Sequence, residues 1–167
     1  MTIDTGLGVP DFASVHQSDP LVGPQLAELA IEYANRYGGD VQKRHSELLE
    51  YPAAEFEPPS GALIVATSGG VPVAGGAFRR HDATTAELKR IWTASGHRRR
   101  GYGRLVVAEL ERIALQRGYT RIYLTTGWRQ PEAVALYLAA GYTALYDPSQ
   151  AAEEIGRHPF DKVLVAG

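Results

Sequence analysis

The sequence of 167 residues contains no cysteine. Without thiols the chain cannot form a disulfide bond, a thiolate-ligated metal site or a cysteine nucleophile. A protein that does without disulfides is compatible with a reducing compartment, so we expect it to be cytoplasmic.

A strong charge of one sign and a long apolar segment are also missing. The formal net charge is −2, whereas general nucleic-acid binders usually carry a broad positive excess. No apolar run approaches the roughly 18 residues that cross a bilayer, and Met1 to Asp4 lack the basic-then-apolar order of a signal peptide. We therefore expect neither nucleic acid nor a membrane as a partner.

Metal-ligating residues are sparse as well. The five histidines, at positions 16, 45, 81, 97 and 158, show no spacing typical of a metal site, so no metal is expected. The composition is otherwise ordinary for a globular protein, with 44% hydrophobic and 22% charged residues. The length suits a sizeable core, and we assign residues 1–167 to a single domain.

Hydrophobic periodicity and turn residues predict a strand meander followed by alternating strands and helices. A turn-rich start over residues 1 to 18 contains an edge strand at Phe12 to Val15, and Asp19-Pro20 starts a helix that Gly38-Gly39 end. Gly75-Gly76 indicate a bulge or a close approach in a strand. This order predicts a mixed α/β sheet with helices on it. The other predicted elements are a helix at 41–51, strands at 61–67, 71–80 and 86–93, a helix at 103–117, a strand at 121–126, a helix at 131–140, strands at 142–146 and 160–165, and a helical turn at 151–155.

The segment His97 to Leu105, with the letters HRRRGYGRL, lies between a predicted strand and a predicted helix. Such a turn collects unpaired backbone N–H groups at the positive end of the helix dipole, and Gly101 and Gly103 let a ligand approach the backbone closely. The natural ligand is a phosphate or diphosphate, as in a nucleotide-bearing cofactor. On turn composition alone, solvated arginines at a helix start explain the segment equally well.

Two motifs in order give the segment a more specific meaning. The spacing Arg98-x-x-Gly101-x-Gly103 resembles the Arg/Gln-x-x-Gly-x-Gly/Ala motif of the GNAT superfamily of N-acetyltransferases. Downstream, the segment from Gln130 to Tyr137 followed by Gly141-Tyr142 resembles that family's Asn-x-x-Ala-x-x-Leu-Tyr and Gly-Phe/Tyr landmark, with Gln in place of Asn. The resemblance covers roughly residues 60–146 and looks most like a small stand-alone bacterial type.

The resemblance implies a GNAT fold, with a mostly antiparallel seven-stranded sheet splayed between its fourth and fifth strands and about four helices. It also implies acetyl-CoA binding: backbone amides around the Arg-Gly turn wrap the diphosphate, and the pantetheine arm lies in the gap between the two strands. The cofactor-binding residues so implied are Ile91, Trp92, Thr93, Arg98, Arg99, Arg100, Gly101, Tyr102, Gly103, Arg104, Thr125, Thr126, Gln130, Ala133 and Tyr137.

For catalysis, the resemblance implies Tyr137 as the general acid, because a thiolate leaves more easily when a hydroxyl donates to it. Glu87 is a candidate general base for the incoming ammonium, and pairing with Lys89 or Arg121 is an equal alternative. The backbone N–H of Trp92 or Thr93 is the candidate donor to the oxyanion. For Tyr137, the alternative is a packed helix residue that has no part in the reaction.

The acceptor is less well specified. Tyr33, Glu87 and Trp128 are the substrate-binding candidates, and acids with aromatics near the first helices would suit a cationic amine, although Glu47 to Glu57 also reads as a solvated face. We expect acetyl transfer to a small-molecule primary amine more than to a protein N-terminus or lysine. Two alternatives come from other classes: an acyl-CoA-binding sensor with little turnover, and a nucleic-acid module that uses the basic run from His97 to Arg104, which the net charge opposes. A homodimer is expected only by analogy.

Overall fold

A computed structural model describes residues 9 to 165 as one mixed seven-stranded sheet in the order β1-β2-β3-β4-β5-β7-β6. Only β4 and β5 run parallel, and every other neighbouring pair is antiparallel. This arrangement confirms the predicted fold class. The strands are β1 Asp11–Ser14, β2 Ala62–Ser68, β3 Val71–Arg80, β4 Thr85–Thr93, β5 Arg121–Thr126, β6 Thr143–Ala144 and β7 His158–Val163.

Four helices of two turns or more and one short helix accompany the sheet in the described residues. Asp19 caps the first 3₁₀ turn through its side chain and Asp40 caps the second α-helix in the same way, while Gly38 ends the first at a φ of 81°. The helices are α1 Gly23–Tyr37, α2 Val41–Glu50, α3 Tyr102–Gln116, α4 Pro131–Ala139 and α5 Ala152–Ile155, with 3₁₀ turns at Pro20–Val22, Ala53–Phe56 and Ser95–His97.

The core lies on both faces of the sheet. On one face α3 packs through Val106 and Leu110, and on the other α1 packs through Leu26 beside Phe56. Gly76 sets how closely α3 approaches, because a Cβ there would lie 2.6 Å from Ile91 Cδ1 and 3.0 Å from Leu110 Cδ1. The sheet thus carries α3 and α1 on opposite faces, and both helices contact β4.

Two irregularities in β4 create the site. Its register with β3 shifts so that Arg90 and Ile91 together oppose Gly76, which is a β-bulge, and Arg90 takes a left-handed φ of 58°. From α1, the Gln25 side chain holds the bulge by donating to Arg90 O at 2.7 Å. Beyond the bulge β4 pairs only with β3, because its pairing with β5 stops at Glu87 opposite Tyr123. The predicted bulge and the predicted gap between the fourth and fifth strands are both confirmed.

The C-terminal strands differ from their predicted bounds. The strand predicted at 142–146 shortens to Thr143–Ala144, and the strand predicted at 160–165 runs instead from His158 to Val163. Pro159 explains part of this, since a proline has no N–H for a ladder, although its carbonyl still accepts from Leu145 N–H at 2.9 Å. The predictions for residues 1 to 8, including the absence of a signal-peptide pattern at Met1 to Asp4, concern residues outside the described range.

Candidate active site

A cleft of about 1260 Å³ opens where β4 and β5 separate. Ligand pockets in proteins usually enclose about 300–1,000 Å³, so this cleft has room for a large ligand and a second small one. The turn before α3 and the gap between the strands form one half, which we call the turn half. The ends of α1 and α2, the loop at 127–130 and the residues before β7 form the other, which we call the helix half.

Backbone amides dominate the turn half. In the described part of the chain, no protein atom accepts a hydrogen bond from the backbone N–H groups of residues 98 to 104. Gly101 shapes the turn with a φ of 82° immediately before α3, and Arg99 also has a left-handed φ, of 64°. Seven consecutive free donors at a helix start form the kind of anion site that the sequence predicted.

Three buried polar atoms around this half lack a partner. Tyr102 OH, His97 Nδ1 and Thr126 Oγ1 are buried without a hydrogen bond to any described residue. Buried polar groups in native proteins are nearly always hydrogen-bonded. In addition Arg98, Arg99 and Arg104 line the cleft and form no salt bridge with a described carboxylate. Free amides, free cations and unpaired buried donors together fit a polyanionic, diphosphate-bearing ligand.

The free side of β4 forms a wall of the gap. Ala94 N–H donates to Val73 O at 2.8 Å, so the N–H groups that alternate with it along the strand, including that of Trp92, point toward β3. Thr93 N–H then points into the gap. The Trp92 side chain turns to α1, where its Nε1 donates to Glu28 Oε1 at 3.1 Å.

Tyr137 projects from α4 to the middle of the cleft. Its ring is buried and packs on Tyr142 and Phe160, at centroid distances of 5.6 and 6.0 Å. Among the described residues its hydroxyl forms no hydrogen bond, and the residue lines the cleft. Burial raises the pKa of this phenol, and the nearby Tyr33 hydroxyl adds to the increase. Tyr137 therefore keeps its phenolic proton at every ordinary pH.

Glu87 lies behind the cleft and is not part of its lining. The carboxylate is 5% exposed and accepts from Arg79 at 2.9 Å and from Lys89 at 3.4 Å, and His81 lies at 3.6 Å. Burial acts to raise the pKa of the Glu87 carboxyl, but the charges and hydrogen bonds of Lys89 and Arg79 outweigh it and hold the pKa below its usual range. Arg121, the other predicted partner, bonds Asp161 at 2.9 Å instead. Lys89 rather than Glu87 meets the cleft.

At one end of the helix half, two reciprocal hydrogen bonds join α1 to the loop at 127–130. Arg36 donates to Arg129 O at 2.6 Å and Arg129 donates back to Arg36 O at 2.8 Å. The side-chain oxygen of Gln130 accepts from Gly127 N–H at 3.1 Å and from Tyr37 OH at 3.3 Å. Gln130, predicted to bind cofactor, thus holds the loop that carries Trp128.

Nearly all the predicted site residues meet in this cleft. Of the predicted cofactor residues only Arg100 lies outside the lining, and Tyr33 and Trp128 line the helix half. The sequence analysis missed Lys89, Arg90 and Arg157, which also line the cleft. Nothing in the local pattern of Arg90 or Arg157 predicts it, since one enters through a bulge and the other lies about 60 residues from the turn.

Other classes of site find no support in residues 9–165. No group of three or more His, Cys, Asp or Glu side chains is arranged there to hold a metal ion. None of the described helices has the length and the apolar character that a bilayer crossing requires.

Most of the chain matches a known protein family. Residues 25–142 match the model of the acetyltransferase (GNAT) family. Over 83 residues the chain is 35% identical to N-acetyltransferase 8 of Rattus norvegicus, a match that covers 50% of this chain and 36% of the rat protein. The chain therefore spans about a third of the length of that curated relative.

Solved structures share the fold over nearly the whole chain. The PaiA N-acetyltransferase of Thermoplasma acidophilum, crystallised with coenzyme A, superposes with a TM-score of 0.71 at 12% identity, covering 92% of this chain and 98% of its own. An aminoglycoside 6′-N-acetyltransferase with coenzyme A gives a TM-score of 0.66 at 16% identity, covering 94% and 98%.

Proposed function

The chain belongs to the GNAT acetyltransferase family, and we propose that it transfers an acetyl group from acetyl-CoA to a small primary amine by direct attack in a ternary complex. The observation that carries the proposal is the run of unpaired amides at residues 98 to 104, next to the gap between β4 and β5. Coenzyme A is the ligand of two proteins of the same fold. We further propose that residues 1–167 act as a single domain.

The residues present suit acetyl-CoA. The amides of the turn and the side chains of Arg98, Arg99 and Arg104 would hold the diphosphate. The free edge of β4 at Thr93 and the facing Thr125 and Thr126 of β5 would pair with the amides of the pantetheine arm, as an added strand does. When bound there, acetyl-CoA supplies a thioester carbonyl that an amine can attack.

Tyr137 and the β4 backbone then serve the transfer. We assign to Thr93 N–H the donor role toward the oxyanion, because its direction along β4 is the one that faces the gap. Tyr137, neutral and otherwise unpartnered, would donate its proton or a hydrogen bond to the departing sulfur. A thiol has a pKa of about 8.5, so such a donor eases its departure.

Glu87, the candidate general base, has no direct contact with the cleft. Glu87 is ionised, as a base must be, yet Lys89 and Arg79 occupy its oxygens and it does not line the cleft. A role for Glu87 in taking a proton from the ammonium would pass through water or Lys89 and stays a prediction. The pairing alternative is the one for which the structure shows contacts.

Two measurements in sequence test the proposal. First, acetyl-CoA at about 100 times its Kd should stabilise the fold by about 2.7 kcal/mol, as followed by thermal unfolding. Second, an amine panel assayed for thiol release should show turnover well above hydrolysis of acetyl-CoA. Binding with no amine-dependent thiol release would instead favour the acyl-CoA sensor, and turnover only with peptides would favour a protein acceptor. The cytoplasmic location, the bacterial subgroup and the homodimer stay predictions.

A further inference from the structure

The charges that line the helix half do not balance. Its carboxylates are engaged, since Arg36 bonds both Glu32, at 3.3 Å, and Glu132, and Arg44 lies 3.6 Å from Glu47. The acids predicted to attract a cationic amine are held in the same way or lie elsewhere, because Glu55 bonds Tyr51 and Glu57 pairs with His16 at 2.9 Å. Lys89 pairs with Glu87 at 3.4 Å, so the lining cations of this half that form no salt bridge with a described residue are Arg90 and Arg157.

Arg90 is a buried cation without an anion. It is 9% exposed, and its guanidinium donates to two neutral oxygens, Gln17 Oε1 at 2.9 Å and Leu48 O at 2.6 Å. The guanidinium carbon lies 5.4 Å from the centroid of the Tyr51 ring and 5.0 Å from that of the Phe56 ring, and the two rings stack on each other. A guanidinium has five N–H donors, so three remain, and no carboxylate of residues 9–165 lies within salt-bridge distance of them.

The energetics make this arrangement unusual. A buried charge is normally paired, because removal from water costs several kcal/mol. Burial lowers the pKa of Arg90. The residue also holds a left-handed backbone at the bulge, a conformation that a non-glycine residue adopts at a cost of about 1–2 kcal/mol. An anion bound at the cleft side would supply the missing partner.

Arg157 supplies a second cation in the helix half. It is an exposed residue between α5 and β7, it lines the cleft, and no described carboxylate forms a salt bridge with it. Arg90, Arg157 and Tyr33 line the helix half, and Tyr137 lines the same cleft. The two unpaired cations therefore lie in the part of the cleft that the turn half leaves to the acceptor.

From this juxtaposition, and resting on the acetyl transfer proposed above, we propose that the acceptor is an amine that also carries a carboxylate, which Arg90 and Arg157 bind. The amino group of such a molecule would face Tyr137, and its carboxylate would pair with the unpaired guanidinium groups of the helix half. The aromatic rings of Tyr33, Tyr51 and Trp128 suit an apolar side chain on the same molecule. Amino acids and their derivatives have this chemistry, whereas polyamines do not.

The test compares acceptors that differ only in the carboxylate. Phenylalanine and phenylalaninamide form one pair and glycine and glycinamide another, with propylamine and 1,4-diaminobutane as uncharged-tail and cationic acceptors. Rates are corrected for the fraction of free amine, because an amide lowers the amine pKa. Aminomethylphosphonate shows whether any anion suffices. We expect kcat/KM for the acid to exceed that for the amide by about tenfold or more, a factor that corresponds to one charge-assisted contact of about 1.4 kcal/mol.

Variants connect the preference to the two arginines. Arg157→Gln, at an exposed position that should not disturb folding, is expected to reduce the acid-to-amide ratio about fivefold through KM, with the acetyl-CoA Kd unchanged. Arg157→Glu should shift the preference toward 1,4-diaminobutane. Arg90→Gln should have the larger effect if it folds. Arg112→Gln on α3, whose partner Glu109 is on the same helix, is the control and should leave the ratio unchanged.

The outcomes separate this inference from the function on which it rests. Preference for the amide or the diamine, or a preference for the acid that survives Arg157→Gln, overturns carboxylate recognition and leaves acetyl transfer intact. Binding of acetyl-CoA with no acetylation of any acceptor overturns the proposed function itself. A preference for the acid that falls in Arg157→Gln and not in Arg112→Gln supports the inference.

Discussion

The two halves of the cleft are built from different materials. The turn half presents main-chain groups, with seven free amides at residues 98 to 104 and the open edge of β4. The helix half presents side chains, among them Tyr33, Arg90 and Arg157, which come from three distant parts of the chain.

Main-chain recognition tolerates most substitutions, because any residue except proline supplies the same N–H. Side-chain recognition does not, because each contact depends on one residue type. The structure therefore predicts that the turn half responds mainly to changes at its few conformationally constrained positions and at the lining arginines Arg98, Arg99 and Arg104. The helix half should respond to any change of charge.

Tyr137→Phe tests the boundary between the halves and should have the largest effect. Loss of a proton donor to the leaving sulfur should lower kcat about 10- to 10³-fold, while the acetyl-CoA Kd stays within about twofold because no turn-half amide is touched. Pre-steady-state thiol release and calorimetric binding measure the two quantities. Unchanged kcat with chemistry rate-limiting would remove Tyr137 from the mechanism.

Gly101→Val tests the turn half alone. A β-branched residue is strained at a φ of 82°, and a cost of about 1–2 kcal/mol either destabilises the fold or reorients the amides. We expect an acetyl-CoA Kd about tenfold higher, or an equivalent loss of unfolding free energy. Gly96→Val is the matched control, since Gly96 has neither a left-handed φ nor a neighbour near its Cβ. Equal effects of the two changes would contradict a conformational role for Gly101.

Glu87→Gln tests how much the charge of this buried carboxylate contributes to the stability of the fold, apart from any role in catalysis. The folded-state pKa of Glu87 lies below the ordinary value of 4.5, so its stabilisation is present above that value and is lost as pH falls through the folded-state pKa. At pH 7 the variant should lose about 1.5–3 kcal/mol, the range for a hydrogen bond to a charged group, and the difference should shrink as the pH falls below 4.5. Chemical unfolding at several pH values measures it.

The same variant tests the base. If Glu87 accepts the proton, the activity of Glu87→Gln should fall most at low pH, where the amine is protonated. A pH–rate profile with the shape of the wild type would leave Glu87 as an ion-pair partner of Arg79 and Lys89 only.

Gln130→Ala should have the smallest effect. Its side-chain oxygen bonds Gly127 N–H and Tyr37 OH, so its loss should cost about 1 kcal/mol of stability and loosen the loop that carries Trp128. We expect the acceptor KM to rise about two- to fivefold, as a loss of about 1 kcal/mol allows at most about fivefold, with the acetyl-CoA Kd unchanged. Exposed Gln150→Ala is the control. A change confined to acetyl-CoA affinity would instead restore the cofactor role predicted from the sequence.

The features that the sequence predicts are mostly those of the turn half, which depend on local residues. The turn before α3, the bulge opposite Gly76 and the ends of most elements are local, because glycine, proline and capping residues act within a few positions. Tyr137 follows from its motif. The short β6 does not, since a tertiary pairing with β7 decides its length.

The helix half could not be predicted, because its charges depend on pairings between distant residues. Glu47 and Glu55 read as free acids in the sequence, and only the fold brings Arg44 and Tyr51 to them. Arg90 occupies a strand that looks regular, and the bulge alone turns its side chain toward Gln17 and Leu48.

Only three residue pairs join β4 to β5, and this leaves part of each strand's facing edge unpaired. Four strands lie on one side of these three pairs and three on the other. Without ligand, the facing edges of β4 and β5 beyond the three pairs have no strand partner. A molecule that fills the gap would pair with both edges as an eighth strand. We expect amide hydrogen exchange at residues 91–93 and 124–126 to slow together when the gap is filled.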